Sequence, residues 1–166
     1  MKYLVTVIIA FFIFGCSQKK VERESFSSEA LSGQVVDLNG NKITFAEILD
    51  KNKGNLTVIE VWASWCSDCV KAMPLIKELQ ADDPEVKYVF LSMDKNSEAW
   101  KKGIKQHNIQ GAHYWAEEGM KGAFAKSLDV NWIPRYIIVD RDGKIALYNA
   151  IETDFDKIKE TLKNIK

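Results

Sequence analysis

Residues 58–74 read VIEVWASWCSDCVKAMP and carry two cysteines, Cys66 and Cys69, with two residues between them. Thiols at this spacing suit three chemistries: half of a zinc site, a pair of buried structural thiols, or a dithiol that cycles with a disulfide. Zinc needs two further ligands, and the only histidines, His107 and His113, lie far along the chain at a spacing unlike a zinc finger. The redox reading rests on position. Residues 56–63 are apolar and β-branched, as expected of a buried strand, and residues 67–81 repeat their apolar side chains at helical spacing. Cys66 then falls where the strand meets the helix N-terminus, and free backbone N–H groups and the helix dipole favour a thiolate there. Cys69 lies one turn into the helix, placed to attack a mixed disulfide made by Cys66. The first thiol is therefore the expected nucleophile and the second the resolving thiol. Glu60 interrupts the strand, either as a buried acid or as a side chain that escapes to the surface.

The elements that must hold this stretch follow from pattern. Residues 34–45 read as a β-hairpin about Asn39-Gly40, and residues 46–51 as a short helix. Pro74 should kink the helix that follows Cys66. Residues 86–93 form the next buried strand, so strand, helix and strand make a parallel, right-handed βαβ unit. Residues 97–108 read as a helix with Ser97 as N-cap. The pattern of residues 109–115 selects no element, and residues 120–128 suit a helix. Residues 135–149 form a second hairpin, and residues 154–165 an amphipathic closing helix capped by Asp154. This order predicts an α/β fold with a mixed sheet and helices on both faces.

The chain has 166 residues, enough for one domain, with 23 basic and 23 acidic side chains and no net charge. Neutrality argues against a nucleic-acid binder that works by neutralising phosphates. The N-terminus is a targeting segment rather than part of the fold. Lys2 precedes an apolar run over residues 3–14 that is too short to span a bilayer comfortably. The sequence IFGC that ends at Cys16 resembles a bacterial lipobox, with Phe14 bulkier than usual. The expected organisation is a signal peptide over residues 1–15, a flexible tether over residues 16–32 beginning at a lipidated Cys16, and one domain over residues 33–166. Export would place Cys66 and Cys69 where disulfides persist.

WASWCSDC, Pro74 eight residues after the first cysteine, and WIPRYIIVDRDGK over residues 132–144 together resemble a thioredoxin fold. The N-terminal hairpin, the extra segment over residues 109–128 and the lipoprotein signal resemble the TlpA/ResA-type thiol–disulfide oxidoreductases. The resemblance implies a thioredoxin-like mixed central sheet with flanking helices and an N-terminal β-hairpin extension. It matches Ile133-Pro134 to a cis-proline element that packs against the cysteines, with the Ile133 backbone pairing an extended substrate. It matches Trp65 to the family's active-site tryptophan, whereas Trp62 reads as core. Glu60 falls where thioredoxins bury an acid beneath the thiols, so desolvation should raise its pKa and fit it to take the Cys69 proton. The chain departs from the pattern at Ala72, at the Ser67-Asp68 dipeptide, at Trp132 and at Arg135. Asp68 and Arg135 are expected to tune the Cys66 thiolate in opposite senses, and Trp132 to modulate partner choice.

The resulting expectation is an exported, membrane-tethered thiol–disulfide oxidoreductase that reduces protein disulfides through Cys66 and Cys69. It needs no cofactor and binds no nucleic acid. It is expected to work as a monomer on the periplasmic side of the cell envelope, held by lipid on Cys16 and fed by a membrane dithiol donor. Two rivals are a peroxiredoxin, whose activating threonine and proline before the nucleophile are missing, and a thioredoxin-fold binding module without turnover.

Overall fold

The computed structural model describes residues 23–166; the expected signal peptide and Cys16 lie outside the described residues. Apolar strand residues drive one seven-stranded sheet in the order β2-β1-β5-β4-β3-β6-β7. The hairpin strands β1 (Gln34–Asp37) and β2 (Lys42–Thr44) form one edge. Their turn is closed by the Asp37 carboxylate, which accepts from the Asn39 and Asn41 backbone N–H groups at 2.9 and 2.8 Å. Gly40 takes φ +89° there, which a glycine adopts at no steric cost. At the centre lies β3 (Thr57–Trp62), with β4 (Lys87–Ser92) parallel on one side and β6 (Arg135–Val139) antiparallel on the other. All six residues of β3 are buried, as expected for a strand covered on both faces. β7 (Ile145–Ala150) closes the far edge against β6.

The connections decide which face carries the site. β3 leads through α3 (Ser67–Asp82) to β4, and β4 through α4 (Ser97–His107) to β5 (Ala112–Trp115). Both steps join parallel neighbours in the same direction across the sheet, so right-handed crossovers put both helices on one face. The closing helix α6 (Phe155–Ile165) joins them, since Lys159 pairs with Glu78 of α3 at 2.6 Å and Lys166 with Asp83 just beyond it. Glu60, Phe90 and His113 share that face by register, as do Trp62 and Trp115, and Trp115 stacks on Trp100 of α4 at 6.3 Å. The opposite face is left to α1 (Ser28–Ser32), α2 (Phe45–Asn52) and α5 (Ala123–Ser127), joined by edge-on contacts of Phe45 with Phe26 and Phe124 at 4.8 and 5.5 Å.

Several elements differ from the sequence reading. Residues 23–32, expected within a flexible tether, are packed. Phe26 and Ala30 are buried, Ser27 caps α1, Arg23 pairs with Asp129 at 2.8 Å, and the Ile145 N–H donates to the Glu24 carbonyl at 3.0 Å. Phe26 packs edge-on against the buried Phe45. The segment over residues 109–115 supplies β5, inserted between β4 and β1. The helix expected over residues 120–128 is split into a 3₁₀ turn (Gly119–Lys121) and α5, because Gly122 between them is extended at ψ 162°. Asn96, not Ser97, caps α4 through a 2.8 Å bond from the Ala99 N–H. Asp154 precedes α6 but accepts instead from the Ile151 N–H at 2.9 Å. α3 continues past Pro74, which lies on its exposed side.

Candidate active site

β3 ends at Trp62, and the chain turns through Ala63, Ser64 and Trp65 into α3. Cys66 is the N-cap of that helix, extended at ψ 107°, and its sulfur accepts the Cys69 N–H at 3.1 Å. A sulfur thus occupies the place where Ser or Asp oxygens usually satisfy a free helix N–H. The same N–H and the helix dipole would meet a Cys66 thiolate. Cys66 and Cys69 are joined as a disulfide with their Cα atoms 5.3 Å apart. Cys66 keeps 6% of its surface and Cys69 none, so only the first sulfur is open to attack from outside.

The loop before β6 forms the facing wall. Its Ile133–Pro134 peptide is cis, Pro134 is buried, and the Ile133 carbonyl oxygen lies 3.5 Å from Cys66 Sγ. Trp65, Asp68, Met120, Trp132 and Ile133 line a cavity of about 340 Å³ against Cys66. Trp62, by contrast, is fully buried in the core, as the sequence reading had it.

Glu60 is buried, 1% exposed, in the middle of β3 and on the face that α3 covers. Its Oε1 accepts the Tyr136 hydroxyl at 3.4 Å from the paired position on β6, and its Oε2 has no hydrogen-bond partner. Loss of hydration pushes its pKa up to about 8, against the smaller opposing effect of the Tyr136 hydrogen bond. Glu60 is therefore a proton-binding group of near-neutral affinity inside the sheet that carries the thiols.

The two charges expected to tune Cys66 are placed differently. Asp68 lies in the first turn of α3, where its Oδ1 pairs with Lys71 at 3.1 Å. Arg135 is turned away: its guanidinium donates to the Asn149 carbonyl at 3.0 Å and to Asn131 Oδ1 at 2.9 Å. No hydrogen bond or ion pair joins it to Cys66 or Asp68, because β6 continues past Pro134 and carries its side chain toward β7. Sequence reasoning missed Asp94, which is fully buried just beyond β4. Its carboxylate accepts the Ser64 hydroxyl at 2.6 Å, the Ser64 N–H at 3.1 Å and the Ser92 hydroxyl at 2.8 Å. It ties the turn that presents Cys66 to the end of β4. An acid after an apolar strand reads as an ordinary loop residue, so the sequence carried no signal for it; the same holds for Met120.

Among the described residues no group of three or more His, Cys, Asp or Glu could hold a metal ion, and no helix is long and apolar enough to cross a membrane. A family model described as thioredoxin-like matches residues 54–145. The thiol-disulfide oxidoreductase ResA of Bacillus thuringiensis subsp. konkukian is 28% identical over 148 residues, 88% of this chain and 82% of that protein. The solution structure of a putative thiol-disulfide oxidoreductase from Bacteroides vulgatus is 31% identical, with a TM-score of 0.65 over 81% of this chain and 87% of that one. A putative thiol:disulfide interchange protein DsbE from Chlorobium tepidum shares the fold at 18% identity and a TM-score of 0.69, over 87% of this chain and 97% of that one.

Proposed function

The chain belongs to the thioredoxin-like family and is a thiol–disulfide oxidoreductase, and from that premise we propose that it reduces protein disulfides, outside the cytoplasm and tethered by lipid on Cys16. One observation carries the reaction: the more exposed of two bonded sulfurs caps a helix N-terminus beside the carbonyl of Ile133. In the reduced protein the Cys66 thiolate attacks one sulfur of a substrate disulfide, and the other substrate sulfur leaves as a thiolate and takes a proton. Cys69 then loses its proton, attacks Cys66 and releases the second substrate thiol. Glu60 in its ionised form, the minor one at neutral pH, accepts that proton. The substrate lies extended along residues 132–134, its backbone pairing with Ile133. No dissociable cofactor takes part, since the two electrons reside on the sulfurs. A membrane dithiol donor restores the reduced pair, and one copy of the chain suffices.

Charge supports the reducing direction. A couple becomes oxidising when its reduced form is stabilised. Here Asp68 lines the cavity beside Cys66, with Lys71 as its partner. The Asp68 carboxylate disfavours a thiolate at Cys66. The protein is expected to accelerate insulin reduction by dithiothreitol, and its disulfide to be the more stable form against an equimolar glutathione couple. Equilibration at a potential as oxidising as that of a disulfide-forming catalyst would reverse the direction. The tether is tested by palmitate: label should follow the full chain into membranes and be lost in Cys16→Ser.

A further inference from the structure

The described surface exposes four large hydrophobic side chains, Leu38, Trp65, Leu75 and Trp132. Only the two tryptophans adjoin the reactive sulfur, and each keeps 55% of its surface. Trp65 comes from the turn before α3 and Trp132 from the loop before β6, while Met120 reaches the same cavity from the 3₁₀ turn over residues 119–121. Three separate segments thus place two flat rings and a flexible thioether around one hollow beside Cys66. Exposed aromatic surface of this kind is costly to leave in water and marks a contact site. A volume of about 340 Å³ sits at the small end of ligand cavities and suits one or two side chains. Apart from Cys66, the only ionisable side chain that lines it is Asp68, whose partner Lys71 stands outside the hollow.

We propose that this hollow selects extended polypeptide substrates that carry a large apolar side chain two residues from the reacting cysteine, with a basic residue close by. The proposal rests on the disulfide exchange assigned above. An extended segment held along Ile133 directs alternate side chains to the same side. When its cysteine faces Cys66, the residue two positions away faces the hollow. The Trp65 and Trp132 rings and Met120 bury that side chain, and the Met120 thioether adapts to its shape. The Asp68 carboxylate favours a cation at the rim and opposes an acid.

The test uses short peptides whose single cysteine is held as a mixed disulfide with 5-thio-2-nitrobenzoate. Attack of Cys66 on the peptide sulfur breaks that disulfide and expels the coloured thiolate, which leaves readily because its pKa is low. Cys69 then displaces the peptide thiol, so each reduced protein delivers two electrons. The peptides carry Phe or Gly two residues to either side of the cysteine, flanked by Lys or Glu. With the reduced wild type, Phe peptides should react roughly tenfold faster than Gly peptides at limiting concentration. Lys flanks should exceed Glu flanks by roughly two- to fivefold at low salt. The Phe-to-Gly ratio should fall toward one in Trp132→Ala and in Met120→Ala, and the Lys-to-Glu ratio should do so in Asp68→Asn. Ratios, unlike absolute rates, are not moved by a general loss of structure. A wild-type Phe-to-Gly ratio near one would overturn the proposal. So would a high ratio that survives both Trp132→Ala and Met120→Ala. Failure of the reduced wild type to react even with the symmetrical nitrobenzoate disulfide would instead overturn thiol–disulfide exchange itself, and this assignment with it.

Discussion

At Cys66 one sulfur closes the first turn of α3, keeps a small opening to solvent and lies against the Ile133 carbonyl. Cys69 is hidden behind it, and Glu60 holds a proton deeper in the sheet. The Glu60 carboxyl titrates near 4.5 when unperturbed and near 8 in the fold. Between those pH values the folded chain keeps a proton that the unfolded chain has released, so stability falls as pH rises through that window and falls no further above it. Glu60→Gln removes the titration. The variant's stability relative to wild type should therefore rise between pH 5 and pH 8, by on the order of 3–4 kcal/mol for a wholly buried group. Absolute stability is a poorer guide, because the new amide places N–H groups where Oε2 now lacks a partner. Urea unfolding across this range checks the slope, and parallel profiles would show that Glu60 is hydrated. The resolving step should also slow, by about 10²-fold or less. The positions of Cys66, Cys69 and Glu60 were legible because a continuous apolar, β-branched run next to a helical repeat fixes where the sulfurs fall. The turning away of Arg135 was not, since its partners Asn131 and Asn149 come from a loop and from another strand.

At the scale of elements, the turn over residues 63–65 is held between β4 and α4. Asp94 grips Ser64 from one side, and Gly103 of α4 approaches it from the other. A Cβ on Gly103 would meet Ser64 Cβ at 2.6 Å and Trp62 Cη2 at 3.2 Å. Alanine is the better helix former by about 1 kcal/mol. Here it must displace a backbone-bound turn that three hydrogen bonds fix, and overpacking of this kind costs roughly 1–3 kcal/mol. Gly103→Ala is therefore expected to lower stability and to slow the attack of Cys66 on a small disulfide, read by denaturant unfolding and stopped-flow absorbance. A variant that is more stable and equally reactive would show that the turn yields freely. The βαβ unit of β3, α3 and β4 was readable from periodicity alone. β5 was not, because its four residues, AHYW, are too few to show a period and take their place from β4 and β1 on either side. The α4 cap moved by one residue because Asn96 and Ser97 both suit it and only geometry chooses between them.

In the whole molecule, the fold encloses its thiols between the α3 face of a mixed sheet and a proline loop, and it recruits residues 23–32 to seal the opposite face. The described part of the expected tether was misread because a polar composition outweighed Phe26, one aromatic side chain with a large buried contact. Arg23 adds to that seal by lying 4.9 Å over the Tyr148 ring while pairing with Asp129. Among the described residues, packing of the domain therefore begins before Gly33. In the proposed mechanism Cys66 alone meets the substrate and Cys69 alone releases it. The most direct measurement is intact-protein mass spectrometry of Cys69→Ser and Cys66→Ser, each reduced and then exposed to a disulfide-bearing peptide. That mechanism predicts a stable one-to-one mixed disulfide on Cys66 in Cys69→Ser, and no adduct in Cys66→Ser. A rapid adduct on Cys69 in Cys66→Ser, with none on Cys66 in Cys69→Ser, would contradict it.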